Sequence, residues 1–478
     1  MKHTSKIIAA TLCAGVIALI PVLSGCSSQA YVTSIAKSGT DGNKDIYTVY
    51  YSDGTTSEFT VTNGSDGVTA SELYEQYLAE TGEDITYSEF LEKYLTFSGD
   101  NTASVINYCL RSSLKIYSEF VETSYSIGFG GIAASSDVSV YTGAAVIYRI
   151  DEDPDGYTYL VTNYHVVYDD NADASLNGGT KVAREIYGYL YGSEGEPVAS
   201  GRGDDGYTEY TYGDYGIELE YVGGSVENDL AVLRVKTADI KEVNENIVAA
   251  DIADGYYVGE TAIAIGNPEG NGLSVTKGVI STENEQITLN IDGTLRSYRS
   301  LRIDTPLYSG NSGGGLFNAE GKLIGITNAG NSSDQNINYA VPLEIVTGTV
   351  DNIIYYALDN DSSTNGAYTV DFGMDLSSSG SKYVYDSSTG YGKVTENVNV
   401  TSVISESIAA NAGIASGDVI RGIIINGEES EVVRTFNLDD IALTLRAGDT
   451  VTFIVERGGE TVTTSPYSIT SSDLVALA

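Results

Sequence analysis

"LYSGNSGGGLFN", residues 307–318, places Ser312 among four glycines and then returns at once to an apolar, strand-like run. Glycines adopt backbone angles closed to other residues and let another backbone pass close by. The stretch is therefore either a bland tight turn or a loop built to present the Ser312 hydroxyl. If it presents a nucleophile, its own geometry supplies the electrophilic half of the chemistry. A turn through Gly310-Asn311-Ser312 can aim backbone N–H groups at one point, the place where an attacked carbonyl becomes an oxyanion. The candidate donors lie on Gly310, Asn311 and Ser312, the N–H groups of Gly310 and Ser312 above all.

A serine needs a base, and histidine is the usual one at neutral pH. The chain has only His3 and His165. His3 falls in a leader, so any histidine-dependent step within the chain belongs to His165. It follows an alternating strand pattern in "YLVTNYHVV" (159–167). A carboxylate that orients the imidazole is offered by Asp229, immediately before the apolar run Leu230–Val235 in "VENDLAVLRV" (226–235). The chain order His165, Asp229, Ser312 is that of chymotrypsin, not of subtilisin or the α/β-hydrolases. A lipase or esterase is disfavoured by this order and by the lack of a strand-to-helix G-x-S-x-G elbow.

The bulk properties are compatible. The 478 residues suffice for two or three domains. The formal net charge of −41 argues against nucleic acid or an anionic membrane surface as partner. Residues 1–25 have a basic start (Lys2, Lys6) and an apolar middle, followed by "LSGC" to Cys26, which describes a secretory signal. The ending resembles a bacterial lipoprotein signal, which implies lipidation of Cys26 and anchoring at the extracytoplasmic face of the cell membrane. With Cys13 in the signal and Cys26 lipidated, Cys109 is alone and no internal disulfide is expected. No metal-type Cys/His cluster occurs, and no metal or organic cofactor is expected. "DEDPDG" (151–156) matches half of an EF-hand loop, but Thr162 stands where a bidentate Glu is needed, so it reads as a solvated acidic turn.

Residues 26–44 are polar and small and read as a tether. Residues 45–67 read as a hairpin around Asp53-Gly54, and two capping boxes, Thr69/Glu72 and Thr86/Glu89, predict short helices. Together 45–96 form a small extension with no visible chemistry. A strand-rich region follows over 103–355, with a long acidic stretch at 168–222 that either gates the cleft or decorates it. Residues 356–366 read as a linker and 367–470 as a further domain.

"VTNYHVV", "NDLAVLRV" and "GNSGGGLFN", with "AIAIGNPEGNGLSVTKGVIS" (262–281) and "INYAVP" (337–342), resemble the HtrA (DegP-like) branch of trypsin-like serine proteases in the right order. The resemblance covers about 105–470. It implies a mainly β chain of two six-stranded β-barrels with the site in the cleft between them, followed by a PDZ domain. It implies a serine endopeptidase that acts on unfolded or misassembled proteins in protein quality control, and it suggests a homotrimer. Gly315 stands where the family usually has proline. Trypsin-like cleavage after Lys or Arg needs an acid six residues before the nucleophile; here that residue is Pro306, so cleavage after small or medium apolar residues is expected, with Leu307, Ile337 and Tyr339 as pocket walls. In the PDZ-like block, the backbone N–H groups around Phe372, Gly373 and Met374 of "DFGMDL" would capture a peptide C-terminus, beside Ile441 and Leu445 on a helix face, the peptide adding a strand to a sheet edge. The alternative is a non-catalytic peptide-binding or chaperone scaffold on an inactive protease fold.

Overall fold

The computed structural model describes residues 32–41, 44–51, 55–62, 102–128, 131–193, 195–331, 334–358, 366–387 and 390–477. The leader, Cys26 and the two capping-box helices lie outside these residues. The chain divides into two units, Met1–Gly99 and Asp100–Ala478.

In the first unit β1 (Val32–Asp41), β2 (Lys44–Tyr51) and β3 (Thr56–Thr62) form an antiparallel meander in that order. The expected hairpin is the β2–β3 pair. The polar residues 32–41, read as tether, are instead its third strand, paired with β2 from Asp41↔Lys44 outward.

The second unit begins with helix α1 (Thr102–Cys109) and a seven-stranded sheet. Its strands are β4 (Ser113–Gly128), β5 (Gly131–Ile150), β6 (Tyr157–Thr162), β7 (Glu185–Leu190), β10 (Ile217–Glu218), β11 (Glu220–Ser225) and β12 (Leu230–Lys236), in the order β10-β7-β4-β5-β6-β12-β11. Six strands were expected. The acidic 168–222 stretch adds β7 and β10 to one edge, besides a separate hairpin of β8 (Val198–Arg202) and β9 (Thr208–Thr211). It is held down by buried Tyr212, whose hydroxyl donates to Glu119 at 2.7 Å and whose carbonyl accepts from Tyr189 at 2.7 Å.

Six further strands close into a barrel: β13 (Thr261–Gly266), β14 (Ser274–Asn290), β15 (Leu295–Ile303), β16 (Gly315–Phe317), β17 (Leu323–Asn331) and β18 (Asp334–Pro342). One core joins sheet and barrel. Val146, Val161, Leu230 and Val232 of the sheet meet Ile263, Ile265, Phe317 and Ile326 of the barrel, all at 1% exposure or less. Each such aliphatic side chain contributes about 1.5–3 kcal/mol on burial. The chain runs from this seam into three short segments: helix α2 (Tyr164–Val167), after β6; the turn before β12; and the glycine-rich turn before β16. Those segments carry His165, Asp229 and Ser312. Helix α3 (Thr237–Val243) follows β12 and buries Ile240 in the sheet's core.

Helix α4 (Leu343–Ala357) packs Val346, Val350 and Ile353 into the shared core and leads to the C-terminal block. There β19 (Ala367–Val370) pairs with β27 (Leu474–Leu477). A second sheet runs β20 (Met374–Asp386), β21 (Tyr391–Val403), β22 (Val419–Ile425), β24 (Thr450–Arg457) and β25 (Glu460–Thr463), with β23 (Glu428–Glu431) on β22 and β26 (Tyr467–Ser468) on β24. Helices α5 (Ile408–Ala412) and α6 (Phe436–Ala442) cover its own apolar core. Buried Asn352 of α4 ties the block to the barrel: its side-chain amide donates to the carbonyls of Tyr368 (2.6 Å) and Leu443 (2.8 Å) and accepts from the Tyr368 N–H at 2.8 Å.

Candidate active site

Asp229 is fully buried, and its backbone lies in the left-handed region at φ 48°, a conformation Asp tolerates better than most residues. The turn aims its carboxylate back at α2. Oδ1 accepts the His165 backbone N–H at 3.0 Å, and Oδ2 lies 2.8 Å from His165 Nδ1. Oδ2 also accepts the Asn328 side-chain amide at 2.8 Å. Three donors therefore converge on one buried carboxylate, which is how a charge is kept out of water at tolerable cost. Burial disfavours the imidazolium of His165, but the Asp229 charge and its hydrogen bond outweigh that, and the His165 pKa lies above its ordinary value.

Ser312 sits on a turn braced from both sides. Its carbonyl accepts the Ala144 N–H at 2.9 Å. The Gly313 N–H donates to the Thr327 carbonyl (2.9 Å) and to Asn163 Oδ1 (2.7 Å). The Thr327 hydroxyl donates to the carbonyls of Asn311 (2.6 Å) and Gly314 (3.1 Å). A glycine is required at two places. Gly310 has φ +94° and a side chain there would meet the Asn267 carbonyl at 2.2 Å; Gly313 has φ +84° and a side chain there would meet the Ala144 carbonyl at 2.2 Å. The N–H of Asn311 is taken by the Tyr308 carbonyl at 3.0 Å. Among the described residues no acceptor takes the N–H of Gly310 or Ser312, so of the three expected oxyanion donors these two remain available.

Ser312 Oγ does not reach the imidazole. It donates to the Asn328 carbonyl at 3.0 Å. The structure thus joins His165 to Asp229 directly, and brings the Ser312 turn to them through shared asparagines. Buried Asn163 donates from Nδ2 to the Asp229 carbonyl at 2.8 Å while its Oδ1 holds the Gly313 N–H. Asn328 takes Ser312 Oγ on its carbonyl and gives its amide to Asp229. Asn267 steadies the turn at Gly310, its N–H on the Gly310 carbonyl at 3.2 Å. None of the three was anticipated. Asn163 lies two residues before His165, and that proximity was the only signal available.

The expected pocket and groove residues fare differently. Leu307 is 9% exposed and packs in the barrel core with Ile280 and Leu301. Tyr339 directs its hydroxyl to Glu285 at 3.1 Å, and Ile337 is half-buried on β18. The cavity that adjoins the Ser312 turn, about 270 Å3, is lined by Tyr308, Asn311, Ala264, Pro268, Ser274 and Thr276 instead. In the C-terminal block the Phe372 side chain packs edge-on against Phe453 in the core, which anchors the loop whose N–H groups were expected to capture a peptide end; Leu445 is fully buried, so its side chain is not free to line a groove. The Gly373 N–H is taken by Asp371 at 2.8 Å. Met374 opens β20, and Ile441 is half-buried at the core's margin.

Residues 143–326, which include His165, Asp229 and Ser312, match the model of the trypsin-like peptidase domain. The chain is 28% identical over 398 residues to the serine protease Do-like HtrA of Lactococcus lactis subsp. cremoris, covering 78% of this chain and 82% of the relative. It is 30% identical over 330 residues to the serine protease Do-like HtrB of Bacillus subtilis, covering 67% of this chain and 60% of the relative. A solved structure, the HtrA-type protease AlgW with decapeptide, aligns at TM-score 0.42 and 23% identity over 77% of this chain and 98% of the other.

Proposed function

The chain carries a trypsin-like peptidase domain and is a serine endopeptidase homologous to the HtrA/Do-like serine proteases; from that premise we propose that it hydrolyses peptide bonds of unfolded or misassembled proteins through a triad of His165, Asp229 and Ser312. The observation that carries the reading is the 2.8 Å contact between His165 Nδ1 and a buried Asp229 that holds three donors. It leaves Nε2 of the imidazole as the basic nitrogen.

In the proposed mechanism the Ser312 side chain rotates from the Asn328 carbonyl to His165 Nε2, a change between staggered rotamers. Oγ attacks the substrate carbonyl carbon and its proton passes to Nε2. The oxyanion forms against the N–H groups of Gly310 and Ser312. Asp229 stabilises the imidazolium, which then protonates the leaving amine. Water, deprotonated by His165, releases the acyl group. Pro306, and not an acid, stands six residues before Ser312, which supports a preference for bonds after small or medium apolar residues.

The C-terminal block, residues 367–470, is proposed to act as a PDZ domain that captures peptide C-termini. β20 is the edge strand of its sheet, and a peptide can extend that sheet by pairing with it. Cys26 is proposed as a lipid anchor that holds the enzyme at the outer face of the membrane.

One feature favours a second reading, a peptide-binding scaffold: Ser312 Oγ faces Asn328 and not His165. The two readings separate when the full chain is incubated with a permanently unfolded protein and with its folded counterpart, and the fragments are sequenced by mass spectrometry. The enzyme reading expects cuts in the unfolded form, after small or medium apolar residues. Binding of the unfolded form without any cut supports the scaffold.

A further inference from the structure

The turn that aims Asp229, residues 226–229, is closed by one long bond, from the Asp229 N–H to the Val226 carbonyl at 3.3 Å. Asp229 sits there at φ 48°. Residues other than glycine seldom occupy that region and keep it only where the surroundings impose it. The donors on the carboxylate fix the side chain; the backbone of the turn is held by a separate set.

Each of the three residues before Asp229 is gripped from outside the turn. The Val226 carbonyl accepts a second bond, from the Tyr298 hydroxyl at 2.9 Å. Glu227 pairs with Arg296, which also binds Asp292 at 2.6 Å. The Asn228 side-chain amide donates to the Thr349 hydroxyl at 2.8 Å. Tyr298 and Arg296 lie on β15, and Thr349 on α4. Val226, Ile291 and Tyr298 form one buried cluster, with Tyr164 and Tyr168 packed against it. Tyr164 immediately precedes His165, so this cluster touches both the aspartate turn and the histidine helix. The charged groups that face the Tyr298 hydroxyl are Asp229, Arg296, Glu227 and Asp292. Burial first, and then the Asp229 charge, pushes the Tyr298 pKa up, so the hydroxyl stays a donor throughout the neutral range.

We propose that Tyr298 is a positioning residue for the hydrolysis: its hydroxyl fixes the Val226 carbonyl, that carbonyl fixes the turn, and the turn sets the Asp229 carboxylate against the imidazole. The inference rests on the reading of His165, Asp229 and Ser312 as a triad and deepens it. The ring of Tyr298 fills the cluster with or without its oxygen. Removing the hydroxyl alone therefore separates positioning from packing.

In the full chain carrying His3→Gln, His165 is the one imidazole. Its titration is followed by NMR with 15N-labelled histidine, beside steady-state cleavage of dye-labelled casein. In Tyr298→Phe the carboxylate is held less firmly on Nδ1 while burial remains. The His165 pKa is expected to fall by about half a unit to one unit, and kcat about 10- to 100-fold, with KM within about threefold. In an Asp229→Asn background the same change is expected to cost less than about threefold further, because its effect passes through the carboxylate. Tyr189→Phe is the control: it too removes a buried tyrosine hydroxyl from a backbone carbonyl, that of Tyr212 at 2.7 Å, but on the edge strand β7. It is expected to lower the thermal midpoint about as much as Tyr298→Phe and to leave kcat and the His165 pKa unchanged. If Tyr298→Phe does not fold, Thr349→Val, which frees Asn228, carries the test with the same sign. An unshifted His165 pKa, a full additional loss in the Asp229→Asn background, or the same loss of kcat in Tyr189→Phe overturns the proposal. If the wild-type chain does not cleave, the triad reading falls, while the titration still decides whether Tyr298 sets the imidazole.

Discussion

Ser312→Ala is expected to lower kcat on a peptide substrate about a millionfold while leaving the thermal unfolding midpoint nearly unchanged. The loss is large because the nucleophile has no substitute. The other groups, the His165 base and the N–H groups of Gly310 and Ser312, serve only once Oγ attacks. The fold is spared because Ser312 Oγ makes a single hydrogen bond, to the Asn328 carbonyl. The braces of the turn run through the backbone of Gly313, the Ala144 N–H and the Thr327 hydroxyl, which the substitution does not touch. Steady-state hydrolysis beside a thermal melt reads both quantities. A residual rate within about a hundredfold of wild type would move the nucleophile elsewhere.

Asp229→Asn is expected to cost about ten-thousandfold in kcat and to move the pH profile. The carboxylate accepts from the His165 N–H, His165 Nδ1 and Asn328 Nδ2. A carboxamide has one acceptor oxygen, and its NH2 must then oppose at least one of these donors. The imidazole loses both its charge partner and the hydrogen bond that selects its tautomer. The pH consequence has a definite sign. His165 works as a base only when neutral, so the rate falls as pH drops through its pKa. Burial lowers that pKa and Asp229 raises it, the net being upward. The acidic limb of kcat/KM in the wild type therefore lies above the ordinary imidazole value. In Asp229→Asn the raising influence is gone while burial remains, and the limb shifts to lower pH. A limb that stays in place would separate His165 from the titration.

Much of the site was legible because its chemistry is local. A glycine-rich turn, a histidine at a strand end and an aspartate before an apolar run are each short patterns, and only their order needed the whole chain. What escaped is long-range. Asn163 bridges to Gly313 and Asn328 to Asp229, across 150 and 99 residues. Such asparagines look like ordinary loop or strand residues until the barrel closes. Leu307 and Leu445 were misplaced because an apolar residue at a strand or helix position has the same pattern whether it faces a groove or a core. The sheet of seven strands escaped because the acidic, tyrosine-rich 168–222 stretch has the composition of a loop; its strands are held at the edge on both faces, Ile186, Leu190 and Ile217 in the aliphatic core and Tyr187 stacked on Tyr212 at 3.8 Å.

The central claim is that Ser312 is a nucleophile activated by His165. Mass spectrometry after treatment with a fluorophosphonate probe tests it most directly. One adduct is expected, on Ser312, in the wild-type chain, and its loss in His165→Ala. An adduct that survives His165→Ala at full rate, or none on Ser312 in a preparation that is cleaving substrate, would contradict it.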